Sequence, residues 1–334
     1  MKCRAYLRSF AGLSTVAFLF HAPAAPALTI DPYYANYYSV TSIGSVPGLP
    51  TQYGGLTFLD ENTILIGGHA NSSSGRLYTI AVVRGTDSHI TGFSGTALQY
   101  GGAASGIGDY NDGGVAFGPG GVLFLGRWPK NEIGQVKPGT TDDEDQLAAG
   151  PEGAASSVSS VNFVPSGFGG AGRVKVMCWE AGQWYAATFS PDGSGTFNIG
   201  PYTMVDLDPT VAGNQAVSGG PEGFVYIRAG NALFAVNSML ISEYTAGAVG
   251  AYEVDGNGNP LVNTRRTFMS DLTGAEGATI DPVTGDFLFS TFGGGNQIAV
   301  VQGFLRPVPG VSPGGLALLL LVLSRVIPRR GRKQ

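Results

Sequence analysis

A glycine-led strand pattern keeps returning between residues 54 and 300, and it limits the fold more than any other feature of the chain. Gly54-Gly55-Leu56-Thr57-Phe58 is followed by Thr63-Ile64-Leu65-Ile66 and Arg76-Leu77-Tyr78-Thr79-Ile80. Gly113-Gly114-Val115-Ala116-Phe117 is followed by Val122-Leu123-Phe124-Leu125 and Asn131-Glu132-Ile133-Gly134-Gln135-Val136. Glu276-Gly277-Ala278-Thr279-Ile280 leads to Asp286-Phe287-Leu288-Phe289 and Asn296-Gln297-Ile298-Ala299-Val300. Weaker copies run through Val161–Phe163, Val174–Met177 and Gln183–Tyr185, and through Ala216-Val217, Phe224–Ile227 and Ala232–Ala235. Turns such as Gly118-Pro119-Gly120-Gly121 and Asp281-Pro282-Val283-Thr284-Gly285 carry the Pro and Gly that tight reversals need. No helical period of useful length interrupts them.

A repeat of about 45–60 residues, with three visible strands and room for a fourth, predicts a propeller blade. Fourth strands are expected at Ile90–Phe93, Phe197–Ile199 and Arg266–Met269. The last copy ends at Val301 without one, and a spare strand, Tyr38–Ile43, precedes the first. An N-terminal strand that completes the C-terminal blade would close the ring and remove exposed sheet edges. The expected fold is therefore all-β, a single five-bladed propeller over residues 28–304. A sixth blade over residues 230–265, around Val249–Val254, is the alternative.

The ends read differently. Residues 1–27 have a basic start (Lys2, Arg4, Arg8), an apolar run from Phe10 to Phe20, and the small-residue exits Ala22-Pro23-Ala24 and Ala25-Pro26-Ala27. That is the composition of a secretion signal peptide. Residues 305–334 hold Arg306-Pro307-Val308-Pro309, a short apolar helix-like run from Leu316 to Leu323, and the basic residues Arg325, Arg329, Arg330, Arg332 and Lys333. The apolar run is shorter than the ~20 residues of a settled span. Basic residues beyond it favour a cytoplasmic end, with the propeller outside.

Between these ends eleven basic residues face 24 acidic ones, a net charge of −13. Such a surface is unsuited to nucleic acid or anionic headgroups. After removal of the signal only Cys178 remains, so no intrachain disulfide is available, and its strand setting predicts a buried inert thiol.

Two resemblances follow from these residues. The Val308-Pro309-x-x-Ser312-x-x-Gly315-Leu316 spacing with its basic stop resembles the IPTL-CTERM and PEP-CTERM sorting signals of Gram-negative bacteria. Gly310 and Val311 stand where that class usually has Thr-Leu, and no Pro-Glu-Pro is present. The resemblance implies a cell-surface or matrix location, processing by an exosortase-like enzyme, transient membrane anchoring through the C-terminal segment, and exopolysaccharide or surface proteins as partners. The middle resembles NHL-like and SMP-30-like propellers through motifs such as Gly113–Phe124. The SMP-30-like group implies a divalent cation held by acids and Asn at the channel mouth, for lactone or phosphoester hydrolysis.

On that resemblance Glu276, directly before the innermost strand of its blade, and Asp112, one position earlier in its own, are the candidate metal ligands. The equivalent positions Gly54 and Ser159 are not ligands, and Glu222 is expected in a turn between the first and second strands. A full ring of acids is thus not expected. No cofactor is required by the sequence, and calcium is the candidate ion. Two acidic segments have plainer readings. Asp255-Gly256-Asn257-Gly258-Asn259 reads as a hairpin turn, and Asp142-Asp143-Glu144-Asp145 as a solvated loop. Only His69 and His89 could serve a hydrolytic triad, and no G-x-S-x-G elbow occurs. The leading expectation is a non-catalytic surface-binding propeller; the alternative is a divalent-cation-dependent hydrolase, lactonase- or phosphoesterase-like. Three or more Asp, Glu or Asn side chains converging at the channel mouth would favour the second.

Overall fold

Successive strands of each blade pair antiparallel, joined by glycine-rich turns that suit hairpin connections. The computed structural model describes residues 27–155 and 157–306. Residues 1–26, which fall in the expected signal peptide, the expected sorting motif Val308–Leu316 and the basic residues Arg325–Lys333 lie outside the described residues.

Two N-terminal strands come first, β1 (Thr29–Ile30) and β2 (Ser39–Ser42). Blade one is β3 (Leu56–Asp60), β4 (Thr63–Gly68), β5 (Arg76–Arg84) and β6 (Ile90–Gln99). Blade two is β7 (Asn111–Phe117), β8 (Leu123–Arg127), β9 (Glu132–Val136) and β10 (Gln146–Ala149). Blade three is β11 (Val158–Phe163), β12 (Val174–Cys178), β13 (Trp184–Pro191) and β14 (Phe197–Met204). Blade four is β15 (Pro221–Ile227), β16 (Ser238–Glu243), β17 (Ala248–Glu253) and β18 (Arg266–Ser270), with β1 added at its edge. Blade five is β19 (Ala275–Ile280), β20 (Phe287–Thr291) and β21 (Ile298–Gln302), completed by β2.

The five blades form a propeller whose innermost strands β3, β7, β11, β15 and β19 touch one another around the axis. The ring closes as expected: β2 pairs with β21 from Ser39↔Gln302 to Ser42↔Ala299. Arg84 of blade one reinforces the closure with two bonds to Asp281 of blade five, at 2.7 and 2.9 Å.

The sixth-blade alternative is overturned. Val249–Val254 falls largely on the third strand of blade four, β17, rather than at the start of another unit. The same blade differs from the sequence expectation by one strand. Phe224–Ile227 is part of the innermost strand, not the second, and Ala216-Val217 is not a strand. In Ala232–Ala235 only Phe234 is buried, and the segment folds as a tight turn in which Asn231 bridges Phe234. Burial in a turn mimicked the apolar run of a strand.

The core lies between blades, as facing sheets require. At the closure, Tyr34, Tyr38, Phe234, Phe268, Phe287 and Phe304 form one aromatic cluster. The Tyr38 hydroxyl donates to the Ala232 carbonyl at 2.6 Å. Tyr38→Ala removes a ring from this clasp and should cost about 3–5 kcal/mol, as large aromatic deletions do. Urea unfolding checks this, and a loss below about 1 kcal/mol would show that the N-terminal clasp is dispensable.

Candidate functional site

One edge of the propeller ends in a cavity of about 430 Å³. Its lining comes from the starts of inner strands and from the loops that join second to third strands, which fixes which end of the ring it occupies. On its floor stand Asp112, Glu222 and Glu276, all buried. Each offers a carboxylate oxygen within 4.8 Å of the other two.

The backbone explains how they converge. The ladder to the second strand breaks between Asn111 and Val115, between Pro221 and Phe224, and between Ala275 and Ala278. These bulges coincide with the three acids, and a bulge re-aims a side chain that a regular pleat would send elsewhere. A glycine follows each acid because nothing larger fits. A Cβ at Gly223 would lie 2.6 Å from the Ala278 nitrogen and 2.7 Å from the Glu276 oxygen. One at Gly113 would lie 2.8 Å from the Gly223 nitrogen, and one at Gly277 2.7 Å from Gly55 Cα.

The other two blades contribute no acid. Ser159 of blade three spends its hydroxyl on the carbonyls of Pro221 (3.0 Å) and Met177 (3.2 Å). In blade one the Gly54 carbonyl accepts from Ser290 at 2.6 Å. Asn71 reaches the site from the loop after β4. It sits at φ +63°, a left-handed conformation that Asn tolerates better than most residues. Its side chain adjoins Asp112, which in turn adjoins Glu276.

Burial pushes the Asp112 carboxyl up to about 7, and burial together with mutual repulsion pushes Glu222 and Glu276 well above the usual carboxylate range. Among the described residues no Lys, Arg or His lines the cavity. Asp112 Oδ1, Glu222 Oε2, Glu276 Oε1 and Asn71 Oδ1 are buried and lack hydrogen-bond partners. Four orphaned oxygens with no protein cation among them match the hard-oxygen donor set of calcium or a similar divalent ion. They supply fewer than the 6–8 ligands calcium takes, which leaves positions for water or substrate.

The structure therefore brings Glu276 and Asp112 together and adds Glu222, which the sequence reading had placed in a turn. The missed signal was local. Glu222-Gly223-Phe224-Val225 repeats Glu276-Gly277-Ala278-Thr279, an acid and a glycine opening an inner strand. Neither histidine lines the cavity: His69 bonds Ser74 and His89 bonds Asp286 at 2.6 Å. The Asp255–Asn259 segment is the expected hairpin turn, with the Asp255 carboxylate accepting from the backbone of Asn257 and Asn259. Cys178 is buried and burial pushes its thiol up to about 12, in keeping with an inert role.

The acidic run 142–145 is less solvated than expected. Its Glu144 folds under with Asp109 and Asp143 into a second cluster. That cluster already has its counter-charge. Arg127, itself buried, contacts Asp109 at 2.6 Å and both Glu132 and Glu144 at 3.2 Å. The two clusters thus differ in the one respect that matters for a free cation.

The raised acids fix a sign for the pH dependence. Between the usual carboxylate range and about pH 7 the folded protein holds protons that the unfolded chain has released. Metal-free stability must then fall as pH rises through that window. Glu144, raised to about 8 mainly by burial, adds to the slope, so the difference made by calcium isolates the channel. Melting curves of the full chain at pH 5 and pH 8 should show a larger calcium-induced rise at pH 8; an equal rise would contradict the site.

No family model matches the chain, and no curated protein matches it. Among solved structures it is similar to a streptogramin B lyase (11% identity, 79% of this chain and 97% of the other, TM-score 0.41). It is also similar to an auxiliary nutrient binding protein from Bacteroides thetaiotaomicron (9% identity, 79% and 76%, TM-score 0.47). A third is the PQQ domain of a pyranose dehydrogenase from Coprinopsis cinerea (11% identity, 84% and 99%, TM-score 0.40). At identities this low the chemistry of the site itself must carry any functional reading.

Proposed function

We propose that this protein is a divalent-cation-dependent hydrolase of small esters, with its centre at the channel mouth. The observation that carries this is the meeting of Asp112, Glu222 and Glu276, buried, unneutralised and open to a cavity. A channel lined by glycine, serine and apolar groups would have favoured a purely structural surface protein. Three uncompensated buried carboxylates are costly and persist where a bound cation offsets them.

A divalent cation at such a site supplies Lewis acidity toward a carbonyl and lowers the pKa of water. Asp112, Glu222, Glu276 and Asn71 hold it. Trp128, Trp179, Tyr244 and Phe292 line the same cavity and limit access of bulk water, and the Gln52 amide can donate a hydrogen bond to orient an ester. The net reaction adds water across the acyl C–O bond and releases an acid and an alcohol.

The flanking sequences support a location at the outer surface of a Gram-negative cell, held at least transiently by the C-terminal segment and processed by an exosortase-like enzyme. The last described residues suit that arrangement. The Leu305 amide donates to Asn231, in the loop after β15, and its carbonyl lies beside Gly285, in the loop after β19. Both loops are at the end of the ring opposite the carboxylates, so an anchored chain would present the cavity outward, toward exopolysaccharide or neighbouring surface proteins. The test is hydrolysis of 4-nitrophenyl acetate by the full chain with calcium or manganese and with EDTA. Turnover that needs the cation and is lost in Asp112→Asn supports the reading; turnover indifferent to both refutes it.

A further inference from the structure

Four of the five blades place an aromatic residue directly after their second strand. Trp128 follows β8, Trp179 follows β12, Tyr244 follows β16 and Phe292 follows β20. The four rings all line the cavity and stand in sequence around it. Trp128 meets Trp179 at 6.3 Å, Trp179 meets Tyr244 at 6.2 Å, and Tyr244 meets Phe292 at 6.1 Å, each edge to face. All four are half-buried and line the cavity. The Trp128 Nε1 donor is buried and has no partner, which leaves one hydrogen bond for a ligand to accept.

Charge narrows the ligand further. With three ionised carboxylates and one divalent cation the floor keeps a net charge of about −1, and no basic side chain lines the walls. A phosphate monoester would bring about two negative charges, and a diester one, to a site with no Arg or Lys among its lining residues, and like charges in a low-dielectric cavity repel strongly. Ring faces, by contrast, pack well against flat apolar groups, stacked or edge on.

We propose that this aromatic arc is the specificity element of the site. It selects an uncharged ester carried on a flat ring, aromatic or lactone-like, with the carbonyl turned to the acidic floor, and it excludes phosphoesters. This rests on the cation-dependent reading above, and the experiment separates the two. The probe is 2-tetralone, an uncharged ring ketone that mimics a fused lactone and cannot be hydrolysed. It is titrated into the calcium-loaded full chain with tryptophan fluorescence as the readout, since two of the three tryptophans belong to the arc.

Saturable binding is expected, at least tenfold weaker in Tyr244→Leu and Phe292→Leu and restored in Tyr244→Phe. Phenyl phosphate should bind at least tenfold more weakly than 2-tetralone. Calcium affinity by calorimetry should change less than twofold in these variants, which shows that the floor is intact. The proposal is overturned if phenyl phosphate binds as tightly, if the leucine variants bind as well as wild type, or if 2-tetralone does not bind. It is also overturned if benzyltrimethylammonium binds more tightly, which would make the arc an organic-cation cage. Absence of a calcium isotherm with ring binding still sensitive to Tyr244 would sink the hydrolase reading and leave the arc's selectivity standing.

Discussion

Glu222→Gln lowers the calcium affinity of the full chain by roughly 100-fold or more, since a direct ligand should matter at least as much as the outer-shell partners whose loss costs 10–100-fold. The same variant should melt higher than wild type at pH 8 in EDTA. Glu222 is one of three buried carboxylates that repel one another without a counter-ion. Removing one such charge relieves the repulsion, whereas removing a partner from a satisfied network destabilises. Calorimetry and melting together therefore move in opposite directions for a cation ligand. A Glu222 that merely packs would lower stability in EDTA and leave calcium binding alone.

Gly223→Val should be among the most damaging single changes in the chain, costing about 3 kcal/mol or more, the upper range of overpacking. Its Cβ would press on the backbone of Glu276 and Ala278, neither of which can rotate away. At about 2–4 °C per kcal/mol for a large domain, the melting temperature falls by roughly 6–12 °C. Because the clash sits between Glu222 and Glu276, a folded fraction should also bind calcium poorly. Gly256→Ala is the control. A Cβ there meets nothing within 4 Å and φ is not positive, so stability should stay within about 0.5 kcal/mol. Similar losses at both positions would show that the glycine collar below the acids is not what sets their spacing.

The repeat made the propeller readable because strand cores carry a period-2 or continuous apolar signal wherever both faces are covered. It also made the closure readable, through the strand missing after Val301 and the spare one at Ser39–Ser42. The sequence is least legible at positions where burial and secondary structure part company. Phe234 is buried in a turn, and its apolar neighbours shifted the reading of blade four by one strand. That shift carried Glu222 out of the channel and hid the third acid. The other two acids were found because their blades were in register. The aromatic arc was equally present in the sequence, one residue past each second strand, but a search for strand cores passes over the residue that follows them. Lys175 is a further instance. A strand lysine reads as exposed, yet it is buried and bonded to Asn259 at 2.5 Å, and burial lowers it to about 8.

The central claim is that the channel acids hold one divalent cation, and diffraction addresses it most directly. Crystals of the protein soaked in manganese, measured at the manganese absorption edge, should show one strong anomalous peak bounded by Asp112, Glu222 and Glu276, with Asn71 at its side. No peak should appear at Asp109, Asp143 and Glu144, where Arg127 already supplies the charge. An empty channel, or a peak at that second cluster instead, would contradict the account.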